Sequence, residues 1–228
     1  MDDARDLNGA FNCDHQVEKQ IDKLFKLFNI KCCLETGTYT GNTCIWFSKK
    51  VEDIYTVEIT DKWYNYSKDK FNKNKILNIN IFKDHSINFL KNNLSKIKEK
   101  YSKILCYLDA HWEDDWPLNN EIIEIAKVYK DSAIIIIDDF KVPNRNFQFD
   151  SYKNQPCDLY FVQDALANLG DYIYYYNNSA DNYHNSLRQN CIGVGKLYII
   201  PKKMLVDNNV DENELYITEN NINYSIII

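Results

Sequence analysis

Strand-like and helix-like segments alternate regularly through the first two thirds of this chain. Short apolar runs, such as the all-isoleucine stretch 134–137, are each followed by a longer segment whose apolar residues recur at helical spacing. Strict alternation of this kind predicts an α/β fold with a mostly parallel sheet covered by helices on both faces. The predicted strands are 32–35, 54–59, 76–82, 104–109 and 133–137, and the predicted helices between and after them are 43–50, 61–71, 87–98 and 117–129.

The flanking segments extend this pattern at both ends. An amphipathic helix is predicted at 16–28, inside an N-terminal helical segment 1–30, and a further helix at 157–169 is closed by Gly170. Two final strands, 172–176 and 192–200, are expected to pair antiparallel at the sheet edge. The stretch 203–228 has no clear pattern and is predicted to be a C-terminal tail.

Length and charge limit the domain count and the partners. The 228 residues, 45% of them hydrophobic, are expected to form one domain, 1–228. Because 27 basic residues face 33 acidic ones, for a net charge of −6, the chain offers no electrostatic support for a nucleic acid or membrane partner. The polar, acidic start lacks the features of a signal peptide, and no apolar run approaches the ~20 residues of a membrane span, so a cytoplasmic protein is expected.

A glycine turn follows the first predicted strand. Such a turn leaves backbone N–H groups and a helix N-terminus at the carboxyl edge of the sheet, where an adenosine-containing cofactor binds. The spacing is acid-x-Gly-x-x-x-Gly, from Glu35 through Gly37 to Gly41, and it differs from the G-x-G-x-x-G of dinucleotide sites. Glu35 would repel a pyrophosphate but suits the cationic amino and sulfonium groups of S-adenosylmethionine (SAM). The predicted contacts to SAM in this turn are Glu35, Thr36, Gly37, Thr38, Gly41, Asn42 and Thr43.

The ends of the second and third strands supply further candidate contacts to the cofactor. Glu58 lies about 20 residues after the glycine turn, the offset at which a carboxylate accepts both ribose hydroxyls. A solvent-facing glutamate is the alternative. After the third strand, Asp84, His85 and Ser86 either contact adenine or cap the next helix, and the two roles are compatible.

Acidic residues end the fourth and fifth strands. Neighbouring parallel strands lie ~4.8 Å apart, so Asp109 and the pair Asp138 and Asp139 are expected to converge. Three adjacent carboxylates repel one another unless a cation neutralises them. Oxygen ligands favour Mg²⁺ over zinc, so these three residues are the predicted metal ligands, and Asp109 also borders the cofactor.

His111 follows Asp109 by two residues, which would place an imidazole beside the metal if the strand geometry continues. A neutral histidine there can take a proton from a metal-bound hydroxyl, so His111 is the predicted general base, with Asp109 beside it in the catalytic centre. A purely structural histidine is the alternative.

Aromatic and amide residues surround this centre and suggest an acceptor site. Trp112, Trp116, Arg145 and Tyr152 are the candidate substrate contacts, with Arg145 placed to bind an anionic group. The loop 141–156 is long for a simple connection and is predicted to be an active-site lid. Such a rim suits sugars or planar hydroxylated molecules.

The glycine turn, Glu58 and Asp109 together resemble class I SAM-dependent methyltransferases over residues 31–200. The resemblance implies a Rossmann-like, seven-stranded sheet with an antiparallel last strand. The Asp-x-His and Asp-Asp-Phe motifs at 109–111 and 138–140 particularly resemble the metal-dependent macrocin and sugar O-methyltransferases, which usually carry Asp-x-Asp and Asp-Asp-Tyr. In that group the second acid of Asp-x-Asp is the base, and His111 takes its position here.

The resulting hypothesis is Mg²⁺-dependent transfer of a methyl group from SAM to a hydroxyl of a sugar or sugar-containing small molecule. Two alternatives remain open at this point. One is a catalytically silent module of the same fold that binds SAM or a protein partner. The other is an NAD(P)-dependent oxidoreductase, which the glycine spacing disfavours. The sequence leaves the methyl acceptor and the formation of a homo-oligomer undecided.

Overall fold

The computed structural model describes residues 9–111, 116–179, 182–183, 191–215, 218–219 and 222–223. Seven strands form one sheet in the order β3-β2-β1-β4-β5-β7-β6. Their bounds are β1 Cys32–Thr36, β2 Asp53–Glu58, β3 Ile79–Lys83, β4 Ile104–Leu108, β5 Ala133–Ile137, β6 Tyr172–Tyr176 and β7 Leu197–Pro201.

Six of the strands run parallel, and β7 is antiparallel to both of its neighbours, β5 and β6. The α/β fold with an antiparallel last strand is therefore confirmed. The strand order reverses between β1 and β4, so the carboxyl ends of these two strands flank a crevice, which is where ligands bind in open α/β sheets.

Helices cover both faces of the sheet. Helices α1, α2, α3 and α7 pack on one face, whereas α4, α5 and α6 pack on the other, and each layer encloses its own apolar core. Burial of these two cores is the main term that stabilises the fold. The bounds are α1 His15–Phe28, α2 Asn42–Phe47, α3 Asp61–Lys73, α4 Ser86–Lys100, α5 Leu118–Tyr129, α6 Leu159–Leu166 and α7 Lys202–Asn208.

Local chemistry explains where α1 begins and ends. The Asp14 carboxylate accepts hydrogen bonds from the backbone N–H groups of Gln16 and Val17, which satisfies donors that have no partner within the helix. Asn29 ends the helix in the left-handed conformation, with φ of 47°. The predicted helix at 16–28 is thus confirmed to within one residue.

Two predicted strands differ from the structure. The third begins at Ile79 rather than at residue 76, because a left-handed turn at Lys75 (φ 53°) closes α3 first. The predicted strand 192–200 is interrupted: Cys191–Ile192 pairs with Asn182–Tyr183, and β7 starts only at Leu197. Between them, Gly195 lies so close to Phe140 that a side chain would overlap its carbonyl oxygen, and the Gly195 carbonyl accepts a hydrogen bond of 2.8 Å from the Phe140 N–H.

The predicted tail, 203–228, starts inside the folded core. Met204 and Leu205 of α7 are buried in the same core as α1, and the Leu215 carbonyl accepts a hydrogen bond of 2.8 Å from the Gln20 side chain. The chain is therefore folded at least as far as Leu215, and the prediction missed α7. None of the helices in the described ranges is long and apolar enough to cross a membrane.

Candidate active site

The glycine turn after β1 packs against the end of β4. Gly37 has φ of +83°, and a Cβ at this position would overlap the carbonyl oxygen of Asp109, so only glycine fits. The N–H groups of Gly37 and Thr38 donate to the Val57 carbonyl, at 3.1 and 3.2 Å. These contacts hold the turn between the ends of β2 and β4.

A narrow cleft opens beside this turn. Six of the residues predicted to bind the cofactor line it, namely Glu35, Gly37, Thr38, Asn42, Thr43 and Asp109. Tyr39, Thr40 and Asp138 line it as well, and Gly9, Phe11 and Asn12 close one side. Its free volume of about 90 Å³ is smaller than the ~300 Å³ or more of typical small-molecule sites. A ligand the size of SAM therefore needs part of this lining to move.

Glu35 is a buried acid at the floor of the cleft. Its Oε2 accepts hydrogen bonds from the Cys44 thiol at 2.5 Å and from the Thr56 hydroxyl at 3.0 Å. Burial nevertheless raises the pKa of Glu35 from its ordinary 4.5 to about 8. A cationic ligand group beside this side chain would favour its ionised form.

Glu58 ends β2 as expected but is buried under the glycine turn. Its Oε2 accepts a hydrogen bond of 3.0 Å from the Tyr39 backbone, and its Oε1 accepts from the N–H and the hydroxyl of Thr60, each at 2.8 Å. Tyr39 has φ of 46° and packs its ring against Trp63, with ring centroids 4.3 Å apart. A contact between Glu58 and the ribose stays a prediction. It requires the ribose hydroxyls to donate to the same carboxylate oxygens that already accept from Tyr39 and Thr60.

Two predicted contacts have other roles in the structure. Thr36 is fully buried, and its hydroxyl donates to Oε2 of Glu121 at 3.2 Å, because the side chain points into the core rather than into the cleft. Gly41 does not line the cleft; it begins α2 with φ of +72°, where a Cβ would press on the Phe71 ring.

The residues after β3 cap α4. The helix cap is His85, whose Nδ1 accepts from the Ile87 backbone at 3.2 Å, rather than Asp84 or Ser86. Oδ1 of Asp84 accepts from the His85 backbone at 2.7 Å. The Ser86 hydroxyl is buried and has no hydrogen-bond partner in the described residues. Adenine contact by these three residues stays a prediction.

Asp109, His111 and Asp139 converge at the ends of β4 and β5. One potential metal-ligand atom from each lies within 4.8 Å of the others. Burial and the neighbouring carboxylates, Asp138 foremost, raise the pKa values of both Asp109 and Asp139. Asp139 also adopts the left-handed backbone conformation, with φ of 50°, a strain that is common at functional sites. These features fit a cation at this point.

Asp138, the third predicted metal ligand, has other partners. The ammonium of Lys196 and the hydroxyl of Tyr107 both contact its carboxylate in the interior, and the Asp139 N–H donates to its Oδ1 at 2.8 Å. Lys196 has no solvent exposure. Burial disfavours its ammonium form, but Asp138 and Asp139 outweigh that effect and raise the pKa of Lys196. The atoms that lie close enough to share one cation therefore come from Asp109, His111 and Asp139, and a metal contact by Asp138 stays a prediction.

His111 is exposed and pairs with a residue of the loop 141–156. Its Nδ1 lies 3.2 Å from Oδ2 of Asp150. The Asp150 N–H donates in turn to the Asp139 carbonyl at 2.9 Å, which fixes the loop to the end of β5. The loop also contains a short hairpin of Ser151–Tyr152 with Gln155–Pro156, and its role as a lid stays a prediction.

The residues predicted to contact the substrate lie in different parts of the structure. Trp116 stacks on Phe161 at 4.5 Å and lines a cavity of about 10 Å³ shared with Asp109, His111, Asp139 and Asp150. Arg145 donates to the Asn178 side chain and the Ser179 carbonyl, and its contact with an anionic substrate group stays a prediction. Tyr152 lies in the hairpin beside Lys153, away from this cavity. Trp112 lies outside the described residues.

Sequence reasoning missed three contributors to this site: Lys196, Asp150 and the turn at Gly9–Cys13. In that turn Phe11, Asn12 and Cys13 all have positive φ, and the Phe11 ring packs 5.3 Å from that of Tyr107. A lysine next to the apolar β7 was a usable signal for Lys196, because such a side chain needs a buried partner. No sequence pattern indicated that Asp150 or the turn Gly9–Cys13 would contribute to the site.

Solved structures share this fold at low sequence identity. The O-methyltransferase TomG from Streptomyces achromogenes, solved with SAM, matches at a TM-score of 0.57 and 12% identity, over 81% of this chain and 80% of that one. The precorrin-6y C5,15-methyltransferase from Geobacter metallireducens matches at 0.54 and 11%, over 81% and 87%. The chain has the class I methyltransferase fold.

This methyltransferase fold does not by itself determine the reaction. The precorrin 8w decarboxylase of Methanobacterium thermoautotrophicum has the same fold, with a TM-score of 0.50 and 12% identity over 80% of this chain and 88% of that one. No family model and no curated protein sequence matches the chain. Its activity therefore has to be argued from the site.

Proposed function

We propose that the chain transfers a methyl group from SAM to a hydroxyl group, with a divalent cation held at Asp109 and Asp139. One observation carries this proposal. Asp109 and Asp138 line both the cofactor cleft and the small cavity between β4 and β5. A methyl donor in the cleft and a hydroxyl at the cavity would therefore meet beside Asp109.

The cleft has the chemistry that SAM requires. Glu35 is a buried carboxyl group whose ionised form lacks a cationic partner among the described residues, and the amino group of SAM would provide one. The turn Gly9–Asn12 would have to move aside, since the free volume is too small for the whole cofactor. When bound, SAM supplies an electrophilic methyl group, and the cation lowers the pKa of the acceptor hydroxyl.

The cavity suits a small hard cation. No hydrogen bond reaches the carboxylate of Asp109 or of Asp139 from the described residues, so both retain their lone pairs. The free volume of about 10 Å³ is near the lower limit for a cavity that holds one water molecule or an ion of similar size. Mg²⁺ commonly binds through one or two carboxylates and completes its shell with water, and we propose it here on that basis.

His111 is placed to remove the hydroxyl proton. The contact with Asp150 favours the tautomer in which Nδ1 carries the proton and Nε2 is free to accept another. General-base help of this kind contributes ~10²–10⁴ in rate. We keep His111 as a base rather than a ligand because Mg²⁺ prefers oxygen.

A sugar or sugar-containing molecule is the proposed acceptor. The support is the resemblance of the Asp-x-His and Asp-Asp-Phe motifs to the macrocin and sugar O-methyltransferases, together with the Trp116 ring, which lines the acidic cavity and is held by stacking on Phe161. Aromatic rings of this kind pack on the apolar faces of sugars, while the hydroxyls remain available to the cation.

A radiolabelled methyl-transfer assay tests the proposal. We expect transfer from SAM to members of a panel of glycosides, stimulated by Mg²⁺ and lost in EDTA. Asp139→Asn should lose transfer and keep its affinity for S-adenosylhomocysteine (SAH), because asparagine tolerates the left-handed backbone at this position. Asp164→Asn, an exposed change on α6, is the matched control.

The outcomes separate the alternatives. A chain that binds SAH but transfers no methyl group under any metal condition would be a silent module. A chain in which Asp139→Asn transfers methyl groups at the wild-type rate would have no catalytic cation at this position.

A further inference from the structure

A second cavity lies at the opposite edge of the sheet from the cofactor cleft. Its free volume is about 440 Å³, within the range of ~300–1,000 Å³ typical of small-molecule sites. The end of α4, the turns that lead into β4 and β5, and one side of α7 surround it. It is separate from the acidic cavity, which lies at the carboxyl ends of the same two strands.

Lysines dominate the charge of this cavity. Four of them, Lys98, Lys103, Lys130 and Lys203, face two acids, Asp131 and Asp207. The local balance of four positive against two negative charges is opposite in sign to the net charge of −6 for the whole chain. These lysines come from three separate parts of the sequence, so only the fold brings them together.

Neutral groups hold two of the ammonium groups in place. Lys98 donates to the Ser132 hydroxyl at 2.6 Å and to the Ser102 carbonyl at 2.7 Å, and it lies 4.3 Å from the centre of the Tyr129 ring. Lys103 donates to the Asn208 side chain at 2.7 Å. Because an ammonium has three N–H donors and these partners are neutral, neither hydrogen-bonded group has a carboxylate partner among them, and each retains at least one donor for a ligand.

The other two lysines of the cavity, Lys130 and Lys203, differ in whether a carboxylate pairs with them. Lys203 pairs with Asp207 at 2.7 Å on an exposed part of α7. Lys130 is exposed and makes no side-chain hydrogen bond or ion pair within the described part of the chain. Three like charges without carboxylate partners repel one another, and an anion bound among them would relieve that repulsion.

We propose that this lysine cavity binds a small molecule that carries two or more phosphate groups. Phosphate oxygens would accept the N–H donors of Lys98, Lys103 and Lys130, with the hydroxyls of Ser102 and Ser132 nearby as further donors. Val128 and Met204 add an apolar surface against which the organic part of such a molecule packs. A single phosphate would engage fewer of the lysines and bind more weakly.

Calorimetry with inorganic pyrophosphate tests this site on the intact chain. The buffer is kept free of divalent cations, so that phosphate cannot bind through a metal at Asp109. Saturating SAH is included, so that the cofactor cleft is filled. We expect saturable binding that weakens as salt is raised, and a loss of affinity of about tenfold or more in Lys103→Ala/Lys130→Ala.

Lys127→Ala is the matched control, because Lys127 is an exposed lysine on α5 paired with Glu124 at 2.7 Å. It should bind pyrophosphate as the wild type does. Three results would overturn the proposal: no binding at millimolar pyrophosphate, an equal loss in the control variant, or wild-type affinity in Lys103→Ala/Lys130→Ala. None of them depends on methyl transfer.

Discussion

The Nδ1 atom of His111 lies 3.2 Å from Oδ2 of Asp150, across the gap between the end of β4 and the loop 141–156. His111 was predicted from the sequence as the general base, whereas Asp150 was not among the predicted site residues. Asp150 lines the acidic cavity but not the cofactor cleft, so its proposed role is to orient the imidazole. We expect His111 and Asp150 to contribute unequally to the rate.

Replacing these two residues tests their roles. His111→Gln should lower kcat by ~10²–10⁴-fold, the range for loss of a general base. Asp150→Asn should lower kcat by about tenfold, because the imidazole remains but its tautomer and orientation are less fixed. Steady-state kinetics across pH 6 to 9 measures both effects, and SAH affinity should remain within about twofold.

A wild-type rate in His111→Gln would contradict the assigned base. A metal requirement that shifts from Mg²⁺ to another ion in that variant would instead show that His111 is a ligand, since imidazole suits transition metals.

The buried pair of Lys196 and Asp138 should be a large contributor to stability. Removing one partner leaves the other charged and buried, which costs about 3–5 kcal/mol. We expect Lys196→Met to lower the free energy of unfolding by about that amount in urea denaturation. The double variant Lys196→Met/Asp138→Asn should recover much of the loss, because no uncompensated charge remains.

Lys203→Met provides the comparison, because it breaks an exposed pair with Asp207. Such pairs contribute about 1 kcal/mol or less. If Lys196→Met were no more destabilising than Lys203→Met, the buried ion pair would not be the structural element described above.

Glu35 should make stability depend on pH. The folded chain holds this proton up to about pH 8, whereas the unfolded chain loses it near the ordinary pKa of 4.5. The folded state therefore binds more protons between these values, and the free energy of unfolding falls as pH rises through this window, by at most about 1.4 kcal/mol per pH unit. Glu35→Gln should show a shallower decline.

Urea denaturation at pH 6, 7 and 8 measures this difference. Asp109 and Asp139 act in the same direction, so the comparison between variant and wild type is the informative quantity. The exposed change Glu52→Gln should leave the wild-type slope unaltered. Parallel profiles for Glu35→Gln and wild type would contradict the raised pKa of Glu35.

Local signals were enough to predict most of the fold. Alternating apolar and amphipathic segments fix strands and helices through burial of one face, and the parallel arrangement then places Asp109, Asp138 and Asp139 at one edge. The glycine turn could also be predicted from the sequence, because Gly37 occupies a backbone conformation that few other residues adopt.

Contacts between distant parts of the chain could not be read in this way. Gly195 allows a close approach to Phe140 that a side chain would prevent, and the next residue, Lys196, pairs with Asp138 in the interior. Glu58 was placed correctly, but its bond to the Tyr39 N–H depends on the path of the turn. Such partners follow from the three-dimensional packing rather than from spacing along the sequence.

Calorimetric titration of the chain with SAH, in parallel with NAD⁺, tests the central claim most directly. We expect one SAH to bind per chain, with a Kd on the order of micromolar, and NAD⁺ not to bind. Gly37→Ala should abolish SAH binding, because the added methyl group would displace the turn from the Asp109 carbonyl. Binding of NAD⁺ without binding of SAH would contradict the assignment of the cleft to SAM.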